Sequence, residues 1–336
     1  MNKGALAGGV AGLIALAIVP FVATDYVLHI AIQILIWGSI YTAWSLMGRF
    51  GLTSFGHGAF LGTGAYVPAL LWNYYSVTPW LGIPVAMALA MLVALLIGYP
   101  SFRLRVVGHY FALVTMALSQ VVLLSLVAAR EVTGGSLGMT INVVHSWLAL
   151  QFAQKSVFYG IALVVWLAGL VVWWRVDVGI GRVALEAISE DEIAAASSGI
   201  NVMREKLRVT LISAALTALG GSLLTQYIQY VNPDVVSGVP VSLQIVFAAI
   251  AGGMGTLLGP TVGAFFTIVL NESLRILFGI HFIGAANTIY GVLLILFIIF
   301  MPQGIVGLIE GISARAAHGV DEEEEAAAAG QTVPES

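Results

Sequence analysis

No cysteine occurs anywhere in the 336 residues, which excludes disulfides, thiolate metal sites and cysteine nucleophiles. Charge is almost as scarce: Asp, Glu, Lys and Arg make up only 9% of the chain, against about 25% in an average soluble domain. Nor does the chain contain a Gly-x-x-x-x-Gly-Lys-Ser/Thr segment, the loop whose backbone cradles nucleotide phosphates. ATP hydrolysis is therefore not expected of it. Two histidines one helical turn apart with a nearby carboxylate, the pattern of a catalytic zinc site, are also missing. No catalytic residue, metal ligand, resident cofactor or nucleic-acid partner is expected.

What is abundant is apolar: 60% of the residues are hydrophobic and the mean hydropathy is +0.99, so a lipid bilayer is the solvent. About 20 apolar helical residues cross about 30 Å of hydrocarbon. Ten such stretches are read at residues 4–23, 28–48, 52–72, 80–100, 107–128, 157–174, 209–230, 240–254, 259–277 and 285–301. The first could be mistaken for a cleaved leader, but its length suits a retained span. The eighth is short, and the turn Gly255 to Leu258 marks where one apolar block folds back. The expected fold is an all-α integral membrane protein, a polytopic bundle of about ten transmembrane helices, with eight to ten compatible with the pattern. A transmembrane domain covers 1–308, and 309–336 is an acidic tail with no apolar face to bury. The net charge of −4 includes six acids in the last sixteen residues and becomes +2 without them.

Cytoplasmic loops carry the Lys/Arg excess. With the N-terminus inside, one side holds Lys3, Arg49, Arg103, Arg105, Arg175, Arg182, Arg204, Lys206, Arg208 and Arg315, and the other only Arg130, Lys155 and Arg275. Both termini and the polar stretch 175–208 are then cytoplasmic. Within that stretch, Ser189, Glu190, Asp191 and Glu192 read as a capping box, with three acids opposing the helix dipole. Ala194 and Ala195 continue the helix, and Gly199 supplies a left-handed residue to end it. A helix this short needs a partner surface to be stable; the loops of the chain itself or another subunit would serve.

The segment Glu192-Ile-Ala-Ala-Ala-Ser-Ser-Gly199 resembles the EAA-type loop of ABC importer permeases, although Gly199 lies seven residues after Glu192 where that loop has six. Other blocks agree: Gly51-Leu-Thr-Ser-Phe-Gly-His-Gly-Ala-Phe60 with Gly62 and Gly64, Tyr110-Phe-Ala-Leu-Val-Thr115, Gly252-Gly-Met-Gly-Thr-Leu-Leu-Gly-Pro260 with Gly263, and Tyr290-Gly291 with Pro302-Gln-Gly304. Together these are similar to the LivM type of branched-chain amino acid permease, from about residue 40 to 308. Thr133-Gly-Gly-Ser-Leu-Gly-Met139 is similar to a motif of that family, with Leu137 where Asp is usual. The resemblance implies a permease subunit that moves branched-chain or other small amino acids inward by alternating access. It implies ABC ATPase subunits that bind ATP and Mg, a second permease that is a LivH-like homologue or a second copy, and an extracytoplasmic solute-binding protein. It also implies the inner membrane of a prokaryote, with 190–199 docking on the ATPase.

Gly58 and Gly62, and separately Gly255, Gly259 and Gly263, recur every fourth residue, a spacing that brings transmembrane helices close. Packing is the plainer reading; the cluster Gly51, Gly56, Gly58, Gly62 and Gly64 would also allow a broken helix lining a passage. Ionisable groups in spans are functional hypotheses by default: His57 has an open role, His109 lies on another helix, and Glu272 and Arg275 are spaced to pair. An ion-coupled secondary transporter or channel would use the same broken helix but would leave the capped loop helix idle. An intramembrane enzyme would need the converging catalytic groups that are absent.

Overall fold

A computed structural model describes residues 12, 15–278, 283–301 and 304–308. Half of the expected span 4–23 and all of 309–336 lie outside these. Residues 15–22 are helical. The long helices that follow are α1 (Asp25–Gly48), α2 (His57–Tyr75), α3 (Pro79–Arg103) and α4 (His109–Ala128), then a short α5 (Arg130–Thr133). After these come α6 (Lys155–Val178), α7 (Ile180–Glu190), α8 (Glu192–Ser197) and α9 (Val202–Ile228). The one-turn α10 (Pro233–Val236), α11 (Gly238–Gly252), α12 (Gly259–Phe278) and α13 (Ile283–Phe300) complete the set. Among the described residues, seven helical units are long and apolar enough to cross a membrane: α1, α3, α4, α6, α9, α12 and the unit Pro233–Gly252.

α1 is the axis of the bundle. Ile32, Ile36, Ile40, Tyr41 and Trp44 along it are fully buried, and α6, α9, α11 and α12 pack around it. α9 in turn packs on α2 and α3, and α4 leans on α2 and α11. The outer helices expose Leu96, Val121 and Val164, which in water would be an aggregation-prone surface and in a bilayer face acyl chains. Two inter-helix seams have no side chain between them. A Cβ built on Gly64 would lie 2.1 Å from the Ala218 carbonyl oxygen, and one on Gly263 would lie 2.0 Å from that of Ala248. Close backbone approach of this kind replaces the hydrophobic drive that helices lack in lipid.

Three sequence-derived boundaries shift for physical reasons. The expected span 52–72 is helical only from His57, because residues 52–56 run without helical structure through the interior. α9 begins at Val202 rather than 209: Asn201 accepts from the Arg204 N–H at 3.0 Å, so the cap starts the helix ahead of its apolar part. α6 continues to Val178, which leaves little of 175–208 outside helices. The fold-back after α11 does occur, through residues 253–258.

At the end of the bundle remote from α7 and α8, residues 129–154 form a cover. Met139–Thr140 pairs antiparallel with Tyr230–Val231. The indole N–H groups of Trp72 and Trp80 donate to the carbonyls of Asn142 and Trp147, each at 2.8 Å, and Thr78 donates to Leu148. Gly134, Gly135 and Gly138 all have positive φ, so the Thr133–Met139 motif is a tight turn of this cover.

Replacing Gly64 with Ala is expected to destabilise the bundle by about 1–3 kcal/mol through overpacking. Gly160→Ala, where an added Cβ meets nothing within 4 Å, should be silent. Size-exclusion profiles of detergent-purified protein after graded heating compare the two.

Candidate functional site

The polar segment between α6 and α9 folds as a helix pair rather than one helix. α7 runs through Ser189 and Glu190, so the expected cap at Ser189 is incorrect. The Ser189 hydroxyl donates back to the Glu186 carbonyl at 2.7 Å, the habit of a serine inside a helix. The chain breaks at Asp191, whose Oδ1 accepts from the N–H groups of Ile193 and Ala194 at 2.8 and 3.0 Å. Asp191 is therefore the N-cap of α8. Gly199, at φ +87°, carries the left-handed turn expected of it, and the Ile200 N–H reaches back to the Ala195 carbonyl.

Glu192 is not part of a capping box either. Its Oε2 accepts from Lys206 Nζ of α9 at 2.5 Å, with Lys206 almost fully buried and Glu192 mostly so. Lys206 also lies over the Phe102 ring at 5.7 Å. α8 is thus fastened to a long helix of the transmembrane core. Its inner residue Ala195 is buried, while Ile193, Ala194 and Ser197 are exposed, so an apolar strip of α8 faces away from the protein. Beside it a groove of about 830 Å³ runs between α8 and the α3–α4 connection, with Arg103 and Arg105 on one wall and Glu190 and Asp191 on the other. A second network joins α7 to the end of α1: Asp177 holds Arg49 at 2.7 Å and Arg182 at 3.3 Å, and Arg182 also holds Glu186 at 2.6 Å. The bond to Glu186 raises the pKa of the Arg182 guanidinium above its ordinary value.

Directly inside this end lies the glycine-rich segment. Gly51 turns at φ +75° with open space around it. The Phe55 N–H donates to Thr115 Oγ1 at 3.0 Å, the Gly56 N–H to Ser54 Oγ at 3.1 Å and the Gly58 N–H to Ser242 Oγ at 2.9 Å. His57 is fully buried; its Nε2 pairs with Ser213 Oγ at 2.8 Å, and Ser213 donates to the Ala43 carbonyl at 2.6 Å. A Cβ on Gly58 would lie 2.5 Å from the Gly238 carbonyl, on Gly62 2.9 Å from Ser237, and on Gly259 1.9 Å from the Gly253 carbonyl. Gly56, Gly58, Gly62, Gly64, Gly259 and Gly263 therefore all sit at close contacts, whereas Gly255 faces open space. His109 opens α4 at an exposed position. No group of His, Asp or Glu able to hold a metal occurs among the described residues.

Sequence reasoning missed the polar residues at the other end of the bundle, where His29, Gln33, Gln244 and Asn271 gather near the expected Glu272–Arg275 pair. The pair is present, at 2.7 Å. The available signal was a polar pair, His29 and Gln33, four residues apart in an otherwise apolar helix.

Residues 26–301 match the family model described as the branched-chain amino acid transport system / permease component. The chain belongs to this family. It is 30% identical over 285 residues to the high-affinity branched-chain amino acid transport system permease protein LivM of Escherichia coli strain K12, covering 78% of this chain and 65% of that protein. Similarity also extends to the probable branched-chain amino acid transport permease protein LivH of Methanocaldococcus jannaschii, 25% identical over 268 residues, 76% of this chain and 83% of the relative. The ribose import permease protein RbsC of Haemophilus influenzae is 29% identical over 207 residues, 58% of this chain and 60% of the relative. The chain spans 65% of the length of the Escherichia coli and Salmonella typhimurium LivM proteins. No solved structure matches. The family match takes in the α7–α8 pair, the interior break and the outer polar residues together.

In this chain, Glu192→Gln should keep α8 capped by Asp191 but loosen its hold on α9. Amide exchange at 194–198 is expected to rise about tenfold, equivalent to about 1.4 kcal/mol of local stability. Exchange in α12 should be unchanged, and the charge swap Glu192→Lys with Lys206→Glu should restore much of the protection.

Proposed function

We propose that the chain is the membrane-spanning permease subunit of an ABC importer, moving branched-chain or other small amino acids inward. Its partners in this reading are ABC ATPase subunits, a second permease that is LivH-like or a second copy, and an extracytoplasmic solute-binding protein. ATP and Mg are bound by the ATPase subunits, and this chain is not itself an enzyme. Its place is the inner membrane of a prokaryote, with the α7–α8 end and both termini cytoplasmic.

The observation that carries this reading is α8. A two-turn helix is marginal in water, yet this one is capped at both ends, anchored to α9 through Glu192 and Lys206, and left with Ile193 and Ala194 exposed. That is the construction of a docking element: rigid behind, apolar in front. Ser189, Glu190, Asp191, Glu192, Ala194, Ala195 and Gly199 form this element in two parts, α7 ending at Glu190 and α8 presenting its outer strip. Closure of an ATPase dimer would shift α8, and the Glu192–Lys206 bond would pass that shift to α9 as part of a rigid-body change between two packings. The external cover at 129–154 suits delivery of solute by a binding protein.

Orientation is supported by the one-sided distribution of Lys and Arg. A single cysteine introduced as Ser198→Cys should stay unlabelled by an impermeant thiol reagent added outside intact cells; labelling would overturn the topology. For function, Gly199→Val places a β-branched residue at φ +87°, straining the turn by about 1–2 kcal/mol. An added Cβ meets nothing there, so the effect is on backbone shape alone. With ATPase partners present and expression matched, amino acid uptake should fall more than membrane abundance. Normal uptake by this variant would remove α8 from the coupling role.

A further inference from the structure

The end of the bundle opposite α7 and α8 contains a cleft of about 240 Å³ that is mostly polar, although helices of the membrane-spanning bundle build it. α1 contributes His29 and Gln33, α11 contributes Gln244, and α12 contributes Asn271, Glu272 and Arg275. His29 and Gln33 are one turn apart and share a helix face. At 1.5 Å per residue from Asp25 they lie about 6 and 12 Å along the helix. Trp37 forms the floor another turn deeper. The cleft therefore descends from the outer end toward the middle of the bilayer.

Its inner wall is held by a chain of hydrogen bonds. His29 Nδ1 pairs with the Tyr227 hydroxyl at 2.6 Å, and Gln33 Nε2 with His29 Nε2 at 3.0 Å. On the outer wall, Glu272 Oε1 accepts from Tyr26 at 2.7 Å and from Arg275 at 2.7 Å. Asn271 is exposed at the rim and makes no hydrogen bond among the described residues. Glu272, bonded to Tyr26 in the first turn of α1, and Arg275, exposed near the end of α12, lie at the mouth of the cleft. His29 and Gln33 carry polar groups further along α1, where hydrocarbon would not solvate them and polar groups mark solute or ion pathways.

We propose that this cleft is a solute subsite on the translocation path, and that its ligand is a small α-amino acid bound as a zwitterion. The inference rests on the permease reading and moves the path from the glycine-rich segment to α1, α11 and α12. Glu272 offers an anion for the ammonium group; Arg275 and the Asn271 amide offer donors for the carboxylate. Glu272 and Arg275 are paired with each other in the unliganded cleft, so a zwitterion can exchange with that pair and keep both charges matched, whereas a simple anion or cation would take one partner and leave the other unmatched. The volume is below the about 300–1,000 Å³ of sites for larger ligands, so one small molecule fills it. The Trp37 and Ile268 side chains supply an apolar wall for an aliphatic side chain.

The absence of cysteine makes the test direct. Asn271→Cys is assembled with its ATPase and permease partners in proteoliposomes and treated with a water-soluble, membrane-impermeant thiosulfonate from the outer face. Leu96→Cys on the lipid-facing side of α3 is the control. Asn271→Cys should react and Leu96→Cys should not. Leucine should slow the reaction severalfold, while 4-methylpentanoate, which lacks the ammonium, and isopentylamine, which lacks the carboxylate, should not. Glu272→Gln added to Asn271→Cys should abolish the protection by leucine. Uptake by the parent complex is measured in the same vesicles. If leucine or another amino acid is taken up but Asn271→Cys is unreactive, or reacts without protection by that amino acid, the cleft is covered by lipid or subunit or holds a different ligand, and the subsite is wrong. If no amino acid is taken up by the parent, the permease reading itself fails and the subsite with it.

Discussion

A peptide group in hydrocarbon has no water to turn to, so every N–H and C=O of this chain must find a protein partner or sit in a helix. Helices meet the demand by themselves. The demanding place is between Gly48 and His57, where α1 has ended and the chain crosses buried territory before α2 begins. Its polar groups are met by side chains from elsewhere: Thr115 of α4 takes the Phe55 N–H, Ser242 of α11 takes the Gly58 N–H, and the Trp44 indole caps the Ser54 carbonyl at 2.9 Å. Because these partners come from α1, α4 and α11, satisfying the break also fixes where α2 can lie. The close seam between Gly64 and Ala218 then follows, and with it the position of α9.

Charge is arranged by the same economy of solvation. Arg49, Asp177, Arg182 and Glu186 join one another across the ends of α1, α6 and α7, and the Arg49 guanidinium lies 3.9 Å from the Trp173 ring centroid. A cation so near the hydrocarbon is tolerated because a carboxylate and two aromatic faces surround it. Lys206 is treated alike, with Glu192 on one side and Phe102 on the other. Both sites join a helix of the core to an element outside it.

Hydropathy made the long helices legible in the sequence, because crossing hydrocarbon demands a length of apolar residues that few other structures need. The apolar run 157–174 marks α6, which extends from 155 to 178. Where polar residues carry a helix onward the reading stopped short, as at Arg204 to Arg208 of α9. The Ser189 cap failed for a different reason. Ser189 and Asp191 both fit the local pattern of an N-cap, and the packing of Leu185 and Ile188 into the protein keeps the chain helical through Glu190, so the choice is tertiary. Glu192 and Lys206, fourteen residues apart on different helices, carry no local mark of their pairing. The spaced glycines were legible as small residues, but whether they lined a passage or a seam depended on which backbone lay opposite.

α9 begins beside Lys206, bound to α8, passes His57 at Ser213, and reaches the wall of the outer cleft at Tyr227, bound to His29. At 1.5 Å per residue those two ends are about 31 Å apart on one unbroken helix. A strut with a polar joint at each end is thermodynamically two-way. Whatever free energy the occupant of the α8 strip contributes to one setting of the outer joint, a solute that prefers that setting must return as tighter hold on the α8 partner. Under the proposed docking and subsite roles, an empty cleft and a full one would therefore present different surfaces at the α8 end, and the helix that lets energy in would also let information out.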